Sequence, residues 1–203
     1  YCFDVIRNAT LDAAMNRVQY NKNYNLKKDV TVHLPVRVNW GGGWSDTPPY
    51  CMEHGGTVLN VAISLNGQMP IEVTIKRLDR PVIALASTDI GSYKEFTDME
   101  ELRECRNPSD AFALHKAALI ACGVIPVSEA VSVEELCGRL GSGIYMNTRV
   151  IDIPKGSGLG ISSILAGACV KALFEAMDTV ISDAEVFERV LCMEQLMSTG
   201  GGW

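Results

Sequence analysis

Histidine is scarce in this 203-residue chain, with three in all, and none of the seven cysteines forms a Cys-x-x-Cys pair. Without ligands at metal spacing, a zinc centre is not expected. The cysteines stand at positions 2, 51, 105, 122, 137, 169 and 192, an odd number, several among apolar residues of predicted helices. They read as small buried hydrophobes in a reducing cytoplasm. His54 falls in a predicted loop and His115 in a predicted helix. No run of about 18 apolar residues is present, which excludes a transmembrane helix and a membrane partner on that ground. No basic segment followed by an apolar one opens the chain, so no signal peptide is expected and the cytoplasm is the expected location. Positive charge is also short: Lys and Arg number 18 against 24 Asp and Glu, a formal net charge of −6. That balance argues against nucleic acid as the main partner. It does not argue against a small anionic ligand, which a local nest of N–H groups can hold on an acidic protein. Internal repeats and low-complexity segments are absent. The chain opens at Tyr1 and closes at Trp203 directly after three glycines, so a fragment of something longer at both ends is expected.

What is present is an ordinary globular composition, 47% hydrophobic and 21% charged, with length for one large domain. Residues 4–20 carry a modest helical pattern, and 21–28 read as a polar linker. β-Branched density predicts a strand over 31–39, and a glycine- and proline-rich loop follows over 40–56. Strands at 57–66 and 71–78 are predicted to join as a hairpin near Gly67-Gln68. More strands are expected at 82–87 and 93–97. Ser109 or Asp110 is expected to cap a helix running to about Cys122. Ser132 with Glu135 has the capping-box spacing and starts a helix to Leu140. A strand over 144–153 leads into a glycine loop, and helices follow at 160–177 and 183–198. Strands first, then mixed elements, predicts an α/β fold of two-layer α+β type, a mixed sheet packed on one side by helices.

Three segments carry chemistry. In Pro154-Lys155-Gly156-Ser157-Gly158-Leu159-Gly160-Ile161-Ser162-Ser163, alternating glycines lead into a helix marked by Ile161, Ile164, Leu165, Ala168, Ala172, Leu173 and Ala176. Glycines let a ligand approach the backbone closely, and a helix start offers unpaired N–H groups and partial positive charge. The loop therefore suits the phosphates of a nucleotide. It is neither a Walker A loop nor a dinucleotide fingerprint, since both spacings fail. The plain alternative is a tight strand-to-helix turn with capping serines. On the following helix, Phe187, Val190, Leu191 and Met197 define an apolar face with Glu194 in its middle. A carboxylate there must be paired or must hold a cation, and Mg²⁺ shared with a loop serine satisfies it. A buried salt bridge, or an escape at the helix end, remains open. In the third segment, Pro35–Pro49, Arg37 near a strand end precedes Asp46 in a glycine-proline loop. Arginine stabilises charge on a transferring phosphoryl group. Aspartate accepts from sugar hydroxyls, and Trp44 suits a sugar face. The bland reading makes Asp46 a turn cap and pairs Arg37 with a carboxylate.

Together these segments resemble the GHMP kinases, which phosphorylate small molecules with ATP. The resemblance covers residues 31–203, with Pro35–Pro49 as the first motif and Pro154–Ser163 as the phosphate-binding one. Within the superfamily, GGGWSDTPP at 41–49, GSGLGISSILAG at 156–167 and EQLMSTGGGW at 194–203 are most similar to the fucokinase branch. The resemblance implies a GHMP N-terminal domain over 29–203, after a lead helix and linker at 1–28, with the C-terminal half of the fold missing. It implies transfer of the γ-phosphate of ATP to the anomeric hydroxyl of L-fucose. Lys155, Gly156, Ser157, Gly158, Leu159, Gly160, Ile161, Ser162 and Ser163 would bind the nucleotide. Ser162, with Ser163 as second choice, and Glu194 would hold Mg²⁺. Arg37 would sit at the transferring phosphoryl group, and Asp46 and Trp44 on the sugar side. Two departures stand out. Family members often carry a hydroxyl residue where this chain has Ile161. The family also places its catalytic aspartate in a Gln-Asp-Gln segment just after GGGW, so residues 1–203 alone are expected to be inactive or nearly so. Uncovered apolar surface on the last two helices would favour self-association. The rival readings are a GHMP kinase for a heptose phosphate or another sugar, and a non-catalytic nucleotide- or sugar-binding module.

Overall fold

The computed structural model describes residues 24–197 except Pro48, Pro108, Lys155 and Gly156, together with Val5, Asn8, Ala9 and Asp12. Most of the helix predicted at 4–20, the end of the third family segment at 198–203, and the Lys155 and Gly156 positions lie outside the described residues.

Proline 35 decides the topology. The strand predicted over 31–39 is two strands, β1 (Val30–Leu34) and β2 (Val36–Gly41), with Pro35 between them. Proline has no N–H to give a ladder, so pairing cannot run through it. β1 pairs antiparallel with β4 (Ile71–Leu78), whereas β2 pairs antiparallel with β3 (Leu59–Ile63) in a separate two-stranded sheet, bulged between Asn39 and Gly41. The predicted hairpin divides in the same way. Asn66 and Gly67 form a tight turn at φ 49° and 78°, and Leu65 and Gln68 exchange two backbone hydrogen bonds of 2.8 Å. The turn is there, but Pro70 follows it and the flanking strands enter different sheets.

The larger sheet has the order β1-β4-β7-β5-β6, with β5 (Ile83–Ser87), β6 (Ser92–Phe96) and β7 (Gly143–Val150). β5 and β7 run parallel, and the other neighbours run antiparallel. Two five-residue helices, α1 (Tyr50–His54) and α2 (Met99–Arg103), are too short to show helical periodicity in sequence. α3 (Ala113–Ala121) begins later than predicted. Asp110 does not cap it; its carboxylate accepts from the Phe112 N–H at 2.9 Å and pairs with Lys116 Nζ at 2.6 Å. α4 (Val133–Leu140) has its expected capping box. α5 (Ile161–Ala176) and α6 (Asp183–Leu196) complete the fold.

α5 is a middle layer. It packs on β1 and β4 on one side and on α6 and α3 on the other. Accordingly Ala166, Cys169, Val170 and Phe174 are buried beyond the predicted stripe, while Ile161, Ile164 and Leu165 of that stripe are partly buried. Ile71, Val73, Ile75, Ile144 and Met146 form the fully buried sheet face of the core. α6 packs on α5 beside Gly167, where a Cβ would meet Val190 at 3.9 Å and Val186 at 4.0 Å, ordinary contact distances. The predicted face of α6 is corrected at Phe187: Val190 and Met197 pack against the core, but Phe187 does not. Phe187 is 67% exposed, and the buried residues are Cys192, Met193 and Glu194. Cys105, Cys122, Cys137, Cys169 and Cys192 are buried, and burial pushes the Cys122 thiol up to about 12. No helix among the described residues is long and apolar enough to cross a membrane.

Gly143 tests this packing. A Cβ there would lie 2.1 Å from the Arg80 carbonyl oxygen and 2.7 Å from that of Val82. Gly143→Ala is expected to lower unfolding stability by about 1–3 kcal/mol in urea titrations. Ser132→Ala, which removes only the α4 cap, is expected to lower it by about 1 kcal/mol.

Candidate active site

The glycine loop leaves the end of β7 and enters α5. Gly158 and Gly160 both sit in the left-handed region, at φ 73° and 68°, and Gly160 is the N-cap of α5. No side chain caps this helix. The contrast with its neighbours is informative. α4 carries a reciprocal Ser132–Glu135 cap and α6 a Ser182–Glu185 cap, each satisfying the first N–H groups internally. At α5 those donors have no side-chain partner, which suits an anionic ligand.

β2 brings a cation to the same point. Arg37 and Asn39 project from one face of β2, opposite Asn60 of β3. Arg37 Nη1 donates to Asn60 Oδ1 at 2.9 Å, and Asn39 Nδ2 donates to the same oxygen at 3.4 Å. The guanidinium lies so close to Gly160 that a Cβ there would stand 3.0 Å from Arg37 Nη2 and 3.1 Å from Nε. Among the described residues no carboxylate pairs with Arg37. A cation at the positive end of a helix is unfavourable by about 0.3–1 kcal/mol, and an anion between them reverses the sign.

On the other side of the helix start, Ser163 Oγ donates to Glu194 Oε1 at 2.5 Å. Glu194 is only 7% exposed, although it lies on a helix face otherwise made of Cys192 and Met193. The serine that meets it is Ser163. Ser162, one residue or about 100° earlier on the helix, faces a cavity instead.

Two cavities flank the loop. The larger, about 690 Å³, is bounded by Pro154, Ser157–Ser162 and Leu165, and across from them by Ser87, Asp89, Asp110 and His115. The smaller, about 430 Å³, is bounded by Arg37, Asn39, Trp44, Asp46, Thr47 and Val58. Gly158 and Leu159 belong to both walls. The structure therefore brings together Arg37, Trp44, Asp46 and the loop residues from Ser157 on. Asp46 is exposed on the cavity wall with no side-chain bond among the described residues, so neither a turn-capping aspartate nor an arginine–carboxylate pair is present here.

Several lining residues carry no mark in the sequence. Asn39 was within reach, because it alternates with Arg37 on a predicted strand. Val58, Ser87 and His115 arrive from distant segments, as does Asn60, the hydrogen-bond partner of Arg37 and Asn39. His115 Nε2 lies 2.8 Å from the Ala86 carbonyl oxygen and 3.1 Å from Thr148 Oγ1. Burial outweighs these contacts and pushes its pKa down to about 4. Among the described residues no group of three His, Cys, Asp or Glu side chains is arranged for a metal ion.

Residues 116–203 match the family model described as GHMP kinases N terminal domain. The chain carries a GHMP kinase N-terminal domain. It is 39% identical over 206 residues to the Bacteroides fragilis L-fucokinase/L-fucose-1-P guanylyltransferase, across 99% of this chain and 22% of that protein. It is 39% identical over 172 residues to the Arabidopsis thaliana bifunctional fucokinase/GDP-fucose pyrophosphorylase, across 85% of this chain and 15% of that protein. The chain thus spans less than a quarter of the length of either relative. Among solved structures, Methanococcus jannaschii mevalonate kinase matches with a TM-score of 0.62 over 85% of this chain and 48% of that one, at 18% identity, a likeness of fold.

His115 gives the domain a pH signature. The unfolded chain takes up a proton near the ordinary 6.5, which the folded protein refuses until about pH 4. Stability should be fully present above about pH 6.5 and fall by about 3 kcal/mol on acidification to about pH 4. In urea titrations at several pH values, His115→Asn should lose that part of the slope.

Proposed function

We propose that this chain is the nucleotide-binding part of an ATP-dependent sugar 1-kinase that transfers the γ-phosphate of ATP to the anomeric hydroxyl of L-fucose. One observation carries the reading: two cavities share the Gly158–Leu159 wall, with Arg37 at their common edge. A phosphoryl donor on one side and an acceptor on the other meet at that wall. The 39% identity to two proteins named as fucokinases supports the choice of sugar. In this reading the domain occupies residues 29–203, after a lead segment at 1–28, in a protein of the reducing cytoplasm.

ATP takes the larger cavity, its phosphates against residues 157–163, with Lys155 and Gly156 of the same sequence motif also assigned to the nucleotide. The sugar takes the smaller one. Asp46 accepts from its hydroxyls, and Trp44 lies against it. Phosphoryl transfer is chiefly a matter of positioning and electrostatic stabilisation. Arg37 supplies a fixed positive charge where the transferring group accumulates negative charge. A buried carboxylate with a hydroxyl at 2.5 Å is an all-oxygen donor pair, which fits Mg²⁺, a cation that keeps waters and phosphate oxygens as its remaining ligands. Glu194 with Ser163 or Ser162 would hold it, and bound there it would neutralise phosphate charge.

The test is a coupled assay of ADP release by the full-length protein over a panel of sugars. L-Fucose is expected to drive turnover. Asp46→Asn should raise the KM for sugar by about 10- to 100-fold, the effect of losing charged hydrogen bonds, with nucleotide affinity unchanged. Residues 1–203 alone should show no turnover, for want of the aspartate that the family places after GGGW. ATP binding by the full-length protein with no turnover on any sugar would replace this reading with a binding module.

A further inference from the structure

Trp44 is held in a backbone conformation that its side chain disfavours. Its φ is 69°, in the left-handed region where a bulky residue is an outlier. The loop around it has no room to relax. Ser45 Oγ donates to the Thr57 carbonyl oxygen at 2.9 Å and accepts from the Thr57 N–H at 3.1 Å. Within the loop, the Ser45 N–H donates to the Gly42 oxygen at 2.9 Å and the Thr47 N–H to the Trp44 oxygen at 3.2 Å. The two chain segments touch through glycines. A Cβ on Gly42 would fall 1.8 Å from the Thr57 oxygen, and one on Gly56 would fall 2.1 Å from the Ser45 oxygen.

What this clamp achieves is the presentation of an indole. Trp44 is 80% exposed, and among the described residues it stacks on no other ring. A strained backbone and an exposed indole both oppose folding, so packing does not account for either. Strain of this kind persists where the surroundings over-determine it, and it gathers at ligand sites. Trp44 stands on the wall of the smaller cavity, and the Ser45–Thr57 pair ties its neighbour Val58 to the same lip. The rest of that wall divides by chemistry. Arg37, Asn39, Asp46 and Thr47 are polar, and Leu159 is part of the glycine loop itself. The Trp44–Val58 lip is therefore the apolar surface set apart from the loop.

We propose that Trp44, with Val58, is the contact for a deoxygenated carbon of the acceptor, so that the site selects a 6-deoxyhexose over the same hexose bearing a C6 hydroxyl. This rests on the sugar-kinase reading above and adds the element of specificity. A methyl group against the indole releases water from both surfaces. A hydroxyl placed there gives up its water partners with no protein partner in return.

The full-length protein and its Trp44 variants decide the matter by calorimetric titration with three sugars. L-Galactose is L-fucose with a C6 hydroxyl, and D-arabinose is L-fucose without C6. The wild type should bind L-fucose about 10- to 100-fold more tightly than either, the range that small apolar pockets achieve. Trp44→Ala should bring the L-fucose to L-galactose ratio to within about threefold, while Trp44→Phe keeps most of it, since an aromatic face remains. Nucleotide affinity should hold in both variants. Trp44→Gly should melt at a higher temperature than Trp44→Ala, because glycine alone accepts φ 69° freely. An unchanged ratio in Trp44→Ala, or an equal weakening of all three sugars, overturns this inference and leaves the kinase reading standing. A wild type that binds nucleotide and none of the three sugars overturns both.

Discussion

A guanidinium set against the positive end of a helix is the constraint on which this site depends. Arg37 reaches the N-cap of α5 only because Pro35 releases β2 from the main sheet and lets it pair with β3. It sits close against Gly160, where a Cβ would crowd the guanidinium at 3.0 Å. The contact joins the small sheet to the glycine loop and fixes the edge shared by the two cavities. It also sets two positive groups in contact, with no carboxylate between them among the described residues. The arrangement makes physical sense once an anion of high charge density occupies the gap.

The opposite side of α5 is prepared with the opposite sign. α5 is held between the sheet and α6, and the packing of α6 on α5 carries Glu194 to Ser163. A buried carboxylate thus stands on one flank of the helix start and a guanidinium on the other. A polyphosphate and its divalent counter-ion present the complementary pattern. The core and the site are one construction here, since the residues that bury α5 also set the spacing of the charges around its first turn.

Much of this was readable in the chain. Alternating glycines before an apolar stripe marked the loop and the helix after it. A glutamate amid apolar spacing marked Glu194, which is buried. Local rules reached those features because each is encoded within one or two helical turns. They failed where long-range pairing decides. Proline 35 divides a run of β-branched residues between two sheets, and the Asn66-Gly67 turn joins strands that do not pair with each other. Periodicity put Phe187 on the buried face of α6, but α6 turns Val186, Val190 and Met193 to the core and leaves Phe187 exposed. Helix packing likewise sets Ser163, rather than Ser162, on Glu194. Asn60 and His115 had no local signal at all, because strand register brings Asn60 to Arg37 and helix placement delivers His115 to the larger cavity.

The charge conflict at Gly160 can be measured directly. Arg37→Gln, compared with the wild type by urea titration without ligand and by calorimetry with ATP, removes one of the two positive groups and leaves the polar surroundings. The account predicts a ligand-free protein as stable as the wild type, or more stable by up to about 1 kcal/mol, together with clearly weaker nucleotide binding. A variant that is less stable without ligand yet binds ATP as tightly as before would contradict it.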